Sequence, residues 1–126
     1  MALGKIKADT LEHSTAGSLD TSYVVNGSLK GYLNFAGNAG TPSATDSFNQ
    51  SGITDGGTGI FACAFTSSMS NANYGHTNGG DHSAAGVNTN KYDSRSASTF
   101  NCRAYDISGN LNDNAYISLS FQGDLA

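Results

Sequence analysis

The chain has few of the residues that most folded domains use in quantity. It contains no tryptophan, one proline and two cysteines, and only 13% of its 126 residues are charged. Leu, Ile, Val and Phe supply 22 residues, below the level of roughly one residue in five at which disorder becomes an alternative. Disorder also calls for high net charge, whereas the formal charge is −4, and six Phe and six Tyr favour folding. The composition therefore predicts one folded domain with a thin core.

Other absences exclude whole classes of partner. The six Lys and Arg residues are scattered and the isoelectric point is about 5.0, so no basic stripe is available for nucleic acid. No apolar run approaches the roughly 18 residues that a membrane span requires. The first residues lack the continuous apolar stretch of a secretory signal, which predicts that the protein matures in a cytoplasm.

Catalytic and metal-binding patterns are also missing. No GxSxG motif marks an activated serine, and the only glutamate is Glu12, so neither acyl transfer nor glycoside hydrolysis is favoured. His76 and His82 flank a Gly-rich turn at a spacing that no single helix or strand face presents together, which favours two solvent-exposed loop histidines. One His from each of three chains could instead meet a metal on a threefold axis. We predict a protein that is not an enzyme and has no cofactor and no bound metal.

Alternating apolar residues are the strongest pattern present. Leu29–Phe35 and Ile117–Phe121 place apolar or small side chains at every second position, which is typical of half-buried strands. Gly- and Asn-rich breakers separate such runs and predict turns, among them 37–40, 55–57, 78–81 and 108–110. The predicted strands are 22–26, 29–36, 46–50, 59–66, 72–77, 90–94, 99–107 and 115–122. The pattern predicts an all-β chain, a compact antiparallel β-sandwich or jelly-roll-like module.

The two cysteines fit this reading as core residues. Cys63 lies between Phe61 and Phe65, and Cys102 lies between Phe100 and Ala104, so each shares a strand face with apolar neighbours. We expect two buried, reduced thiols that act as small apolar side chains. A disulfide is the alternative if their strands are neighbours.

Residues 1–21 differ from the rest of the chain. Apolar residues are sparse there, so the segment cannot bury a core of its own and reads as an extended arm that packs on something else. Asp9 and Glu12 have the spacing of a helix capping box, although a turn or an extended segment is equally compatible. We predict an N-terminal attachment arm over 1–28, with Ile6, Leu11 and Leu19 as its contacts, and a β-rich knob domain over 29–126.

Several short stretches resemble virion structural and tail-fibre-like proteins of tailed bacteriophages, in particular phages of marine bacteria and cyanobacteria. The resemblance covers roughly residues 5–75 and the closing 115–121, and 76–114 lie outside it. The stretches are SGITDGGTG (51–59), FTSSM (65–69), NANY (71–74), IKADTLE (6–12), STAGSLD (14–20), YVVNGS (23–28) and AYISLSF (115–121).

The resemblance implies a non-enzymatic structural protein of the virion, assembled in the host cytoplasm and commonly trimeric. Its partners would be further copies of the chain, other capsid or tail proteins, and a host surface glycan or protein. The short chain favours a compact knob, such as a tail- or head-fibre-like appendage. The alternatives are a capsid decoration (cement) protein and, less favoured, a glycan-cleaving enzyme. Trimerisation agrees with the thin core, because partner chains would cover apolar strand faces and open edges.

Residues 74–98 form the candidate contact with a host. This segment lacks an apolar stripe, and it combines aromatic and adaptable polar side chains of the kind found in antibody binding surfaces. A solvated loop without a partner is the alternative. The side chains predicted to contact the host are Tyr74, His76, His82, Tyr92 and Arg95.

Overall fold

The structure, a computed structural model, describes residues 7–81 and 90–126. Ten strands and one short helix follow one another along these described residues. They are β1 (Thr10–His13), β2 (Gly17–Asp20), α1 (Thr21–Gly27), β3 (Leu29–Phe35), β4 (Ala44–Phe48), β5 (Gln50–Asp55), β6 (Ile60–Phe65), β7 (Gly75–Asp81), β8 (Asn90–Arg95), β9 (Thr99–Ala104) and β10 (Tyr116–Gln122).

Eight of these strands form two antiparallel sheets that enclose one core. The first sheet has the order β4-β3-β10-β7 and the second has the order β5-β6-β9-β8. Strands β1 and β2 pair with each other in a separate hairpin. The predicted all-β class and the sandwich architecture are therefore confirmed. Within the described ranges, no helix combines the length and the apolar character needed to cross a membrane.

Phenylalanine rings dominate the core. Phe121 of the first sheet packs edge to face on Phe65 and Phe100 of the second, with ring centroids 4.9 and 5.1 Å apart, and Phe35 packs likewise on Phe61 at 5.1 Å. A buried Phe contributes roughly 1.5–3 kcal/mol, and such a ring pair adds about 0.5–1.5 kcal/mol. The other buried apolar side chains are Leu33, Cys63, Met69, Tyr74, Cys102, Ala104, Ile117 and Leu119.

One residue carries the chain from the first sheet to the second. Asn49 separates β4 from β5 and has a φ of 56°, a left-handed conformation that Asn adopts more readily than most residues. Its Nδ2 donates to the carbonyl oxygens of Lys30 and Ser67 at 2.9 and 3.0 Å, and its Oδ1 accepts from the Ser67 N–H at 2.7 Å. The side chain therefore holds β3, in one sheet, to the segment that follows β6 in the other.

Both cysteines lie in the core as free thiols, as predicted. Cys63 and Cys102 are fully buried on neighbouring strands, where Cys63 pairs with Phe100 and Cys102 pairs with Phe61. The hydrogen bond to Cys102, together with burial, raises the pKa of the Cys63 thiol. The neutral thiol is therefore favoured, and Cys63 is unsuited to nucleophilic chemistry.

Four local predictions differ from the structure. Residues 22–26 belong to α1 rather than to a strand, because Asp20 caps the helix through a 2.7 Å hydrogen bond from the Ser22 N–H to its carboxylate. Residues 78–81, predicted as a turn, lie within β7, where pairing with β10 holds the glycines in a ladder. The predicted strand 46–50 is the junction of β4 and β5. The possible capping box at Asp9 is instead the approach to β1, which pairs with β2.

We predict that the Asn49 side chain is a principal determinant of stability. Asn49→Gly keeps the backbone conformation but removes three hydrogen bonds, and it should lower the free energy of unfolding by about 1–3 kcal/mol. Asn49→Ala also strains the backbone and should cost roughly 1 kcal/mol more. Denaturant titration followed by circular dichroism measures both values.

The matched control is Asn38→Ala, a substitution in an exposed turn that should change stability by less than about 0.5 kcal/mol. Wild-type stability in Asn49→Gly would show that the amide contacts contribute nothing.

Candidate functional site

The predicted host-contact residues do not form one exposed surface. Tyr74 is a core residue with 3% of its surface exposed, which corrects its assignment as a surface contact. Its ring packs edge to face on Phe65 at 5.5 Å and on Phe121 at 6.0 Å, and its hydroxyl donates to the Thr99 carbonyl at 3.2 Å. The Tyr74 side chain therefore stabilises the junction of the two sheets.

Arg95 and His76 lie around this buried tyrosine. The Arg95 Nη1 donates to the Tyr74 carbonyl at 2.7 Å, and its guanidinium carbon lies 5.3 Å from the centre of the Tyr74 ring. The His76 ring is half-buried and packs on Phe100, with centroids 4.7 Å apart. Burial and the positive charge of Arg95 lower the pKa of His76. The cluster ties the start of β7 to the end of β8, and it offers a ligand little free surface.

The remaining predicted contacts fall where little is described. His82 lies outside the described residues, and Tyr92 is described only through its backbone, which pairs with Cys102 in the second sheet. Contact between residues 82–92 and a host therefore stays a prediction. Within 7–81 and 90–126, no three His, Cys, Asp or Glu side chains gather as metal ligands would.

The N-terminal arm brings two of its predicted contact residues together. Leu11 and Leu19 are direct cross-strand partners in the β1–β2 hairpin and are 48% and 46% exposed. Helix α1 follows with Tyr23, Val24 and Val25 also exposed, and it buries no residue. The hairpin and helix are joined by Thr21, whose N–H donates to the Asp9 carbonyl at 2.9 Å. The third predicted contact, Ile6, lies outside the described residues.

A further polar surface was not predicted as a site. We call the solvent-facing side of β4-β3-β10-β7 the outer face. Strand pairing arranges its side chains in rows that run across the sheet. The aromatic row is Phe48–Tyr32–Ser120–Thr77, the middle row is Asp46–Asn34–Ser118–Gly79, and Tyr116 lies beyond the middle row on β10.

The outer face is held by hydrogen bonds within and between its rows. Ser118 Oγ donates to Asn34 Oδ1 at 2.7 Å, the Tyr32 hydroxyl approaches both Asp46 oxygens at 3.3 Å, and Thr77 and Ser120 share a hydrogen bond. The alternation that assigned the inner residues also assigns these positions to the outside. That periodicity is the signal by which sequence could have found them.

Comparison with known proteins identifies a fold but no family. No protein-family model and no curated protein matches the chain. The fold is similar to that of the phiAB6 tailspike, a structure solved in complex with three-repeated oligosaccharides of Acinetobacter baumannii surface polysaccharide. The match has a TM-score of 0.54 at 12% sequence identity and covers 91% of this chain. The chain spans 23% of the tailspike, so the likeness shows the shared fold of a part.

The lowered pKa of His76 predicts loss of stability on mild acidification. A depressed pKa means that the folded protein favours neutral His76, whereas the unfolded chain protonates at the ordinary value of about 6.5. Stability from this group should therefore be complete above about pH 6.5 and decline as the pH falls below it. His76→Gln should reduce the decline, as measured by denaturant titration between pH 7.5 and 5.5.

NMR titration of the His76 ring protons provides a direct check. Arg95→Gln should move the His76 pKa upward, since it removes a nearby positive charge. A ring that titrates at or above 6.5 in the wild-type protein would contradict the argument.

Proposed function

We propose that the chain is a non-enzymatic structural protein of a phage virion, a tail- or head-fibre-like appendage that contacts the host surface. The fold likeness to part of a tailspike, over 91% of this chain, is the observation that carries the proposal. The stretches 51–59 and 115–121 resemble phage virion proteins and support it independently. That tailspike was solved with surface oligosaccharides bound, which supports a host glycan as the partner here.

The two parts of the chain suit different tasks in such an appendage. Among the described side chains, every buried core residue lies between Leu33 and Phe121, so 29–126 has what it needs to fold as the knob. Among the described side chains of 7–28, none is buried, and the apolar ones project into solvent. Exposed apolar side chains on a segment without a core are typical of a docking element. We therefore assign attachment to the arm, with other virion proteins as its partners.

A homotrimer fits the same surfaces. The core is small, while Tyr23, Val25, Leu29 and Ile107 keep between 43% and 69% of their surface exposed. Burial of apolar surface between copies would add stability that one chain cannot supply. The open edges of β4, β5, β7 and β8 would also be protected from pairing with unrelated strands.

We predict that the purified protein is a trimer. Light scattering coupled to size-exclusion chromatography should give a mass near three times the chain mass of 12.9 kDa. A folded monomer at micromolar concentration would exclude the trimer.

We predict that the Leu11–Leu19 pair is required for incorporation into virions. Leu11→Ser with Leu19→Ser should leave the sandwich folded, because neither side chain reaches the core, yet should abolish incorporation. The control Leu111→Ser changes an apolar residue outside the arm that is 36% exposed and that the trimer does not use, and it should be incorporated normally. Quantitative mass spectrometry of purified particles measures the copy number.

Normal copy number of the double variant would contradict the assigned role of the arm. Electron cryomicroscopy of the same particles decides the location. Density on tail or head fibres supports the appendage, density spread over the shell supports capsid decoration, and absence from the particle overturns the proposed function.

A further inference from the structure

Aromatic side chains lie at two separated places on the outer face. Phe48, 54% exposed, lies beside Tyr32 with ring centroids 6.3 Å apart. Tyr116 is 68% exposed and lies four residues along β10 from Ser120, the partner of Tyr32. At the rise of a β-strand, the two aromatic positions are about 13 Å apart along the sheet.

The surface between them holds a depression whose lining is mostly apolar, with Phe35 and Ile117 at its floor and a few polar groups around them. Ser118 uses the Oδ1 of Asn34 as its acceptor, and the Asn34 Nδ2 makes no hydrogen bond with a described residue. The Tyr116 hydroxyl likewise has no partner among the described residues. On the β7 side, a Cβ added at Gly79 would meet nothing within 4 Å. These groups and Thr45 line a depression of about 370 Å³.

We propose that the outer face binds a neutral oligosaccharide that spans the two aromatic positions. The C–H faces of a sugar ring are apolar and pack on aromatic rings, while its hydroxyls hydrogen-bond with amides and hydroxyls. The outer face offers both in alternation: a ring pair at one end, an amide and a hydroxyl in the middle row, and Tyr116 at the other end. The proposal rests on the host contact proposed above, and it names the ligand class and the location.

The charges of this face favour a neutral ligand. Among its described side chains only Lys30 and Asp46 are charged, and both are engaged. The Lys30 ammonium donates to the Val25 carbonyl and to Ser28 at the end of α1, and the Asp46 carboxylate accepts from Tyr32. The described side chains of this face therefore carry one positive and one negative charge, which gives an anionic polymer no net positive charge to pair with. The apolar lining of the depression suits the C–H faces of a sugar ring, and the few amide and hydroxyl groups around it suit the sugar hydroxyls.

The first experiment measures binding by the full-length protein in its native assembly. The probes are an immobilised panel of neutral hexose and N-acetylhexosamine oligosaccharides, with oligogalacturonides as the anionic comparison. The strongest neutral oligosaccharide is then titrated into ¹⁵N-labelled protein, where the largest shifts should fall on Asn34, Ser118, Gly79 and Tyr116. Tyr116→Ala should weaken binding roughly tenfold. The control Leu111→Ala removes an exposed apolar side chain that lies outside both the arm and the outer face, and it should leave the affinity unchanged.

Four results would overturn the proposal: no binding to any neutral probe, tighter binding to oligogalacturonides, equal affinity in Tyr116→Ala and Leu111→Ala, or shifts within 74–98 with none on Asn34, Ser118 or Tyr116. Dissociation of the assembly by Tyr116→Ala would also overturn it, by showing that this face joins copies of the chain. If virions carry the protein but the outer face does not bind sugar in these tests, the proposed function is supported without this site. If virions lack the protein but the tests succeed, the sugar site on the outer face is supported and the role in the virion is contradicted.

Discussion

The contacts of Phe121 hold the sandwich together. This ring from β10 packs on Phe65, Tyr74 and Phe100, and so joins the central strand of the first sheet to the inner strands of the second. With only 22 Leu, Ile, Val and Phe residues in the chain, few other side chains could replace these contacts. The remaining structure follows from this scarcity, because each sheet can present one apolar face only, and that face must be turned inward.

Polar side chains supply the connections that apolar ones cannot. Asn49 turns the chain from one sheet to the other, and its amide bonds both sides of the junction. Arg95 plays a similar part at the opposite edges, where it bonds the residue that precedes β7 from the end of β8. A carbonyl or N–H buried without a partner would cost about 1–3 kcal/mol. Asn49 and Arg95, which residue type alone would place in a loop and on the surface, therefore hold the two sheets together.

Sequence alone predicts the strands whose alternation is strong and misses features that depend on distant partners. Leu29–Phe35 and Ile117–Phe121 were placed to within one residue, because apolar periodicity reports burial directly. The sequence does not predict the helix at 21–27, because Tyr-Val-Val favours strands and the hydrogen bond by which Asp20 caps the helix is visible only in the structure. Gly79 was assigned to a turn because nothing local reveals its pairing with β10.

The candidate contact residues also differ in whether the sequence alone predicts their position. Residue type alone predicts Tyr74 as a surface contact, and only the packed structure shows that its ring lies in the core. Leu11 and Leu19 were chosen as apolar exceptions in a polar arm, and the hairpin brings them face to face. The row through Asn34 and Ser118 joins residues 84 positions apart. The alternation of apolar and polar residues predicts on which face of the sheet each side chain lies. Only the register of β3 against β10 makes Asn34 and Ser118 neighbours.

The proposed trimer and the proposed oligosaccharide site on the outer face constrain each other. A shallow face with few polar groups binds sugar weakly in one copy, so useful adhesion requires several copies held together. Tyr116 cannot both join copies and receive a sugar ring, which leaves the arm, Leu29 and Ile107 to form the contacts between chains. That division is consistent with the fold: the inner faces hold the sandwich, the N-terminal segment joins it to other chains, and the outer face stays open because its side chains contribute little to either.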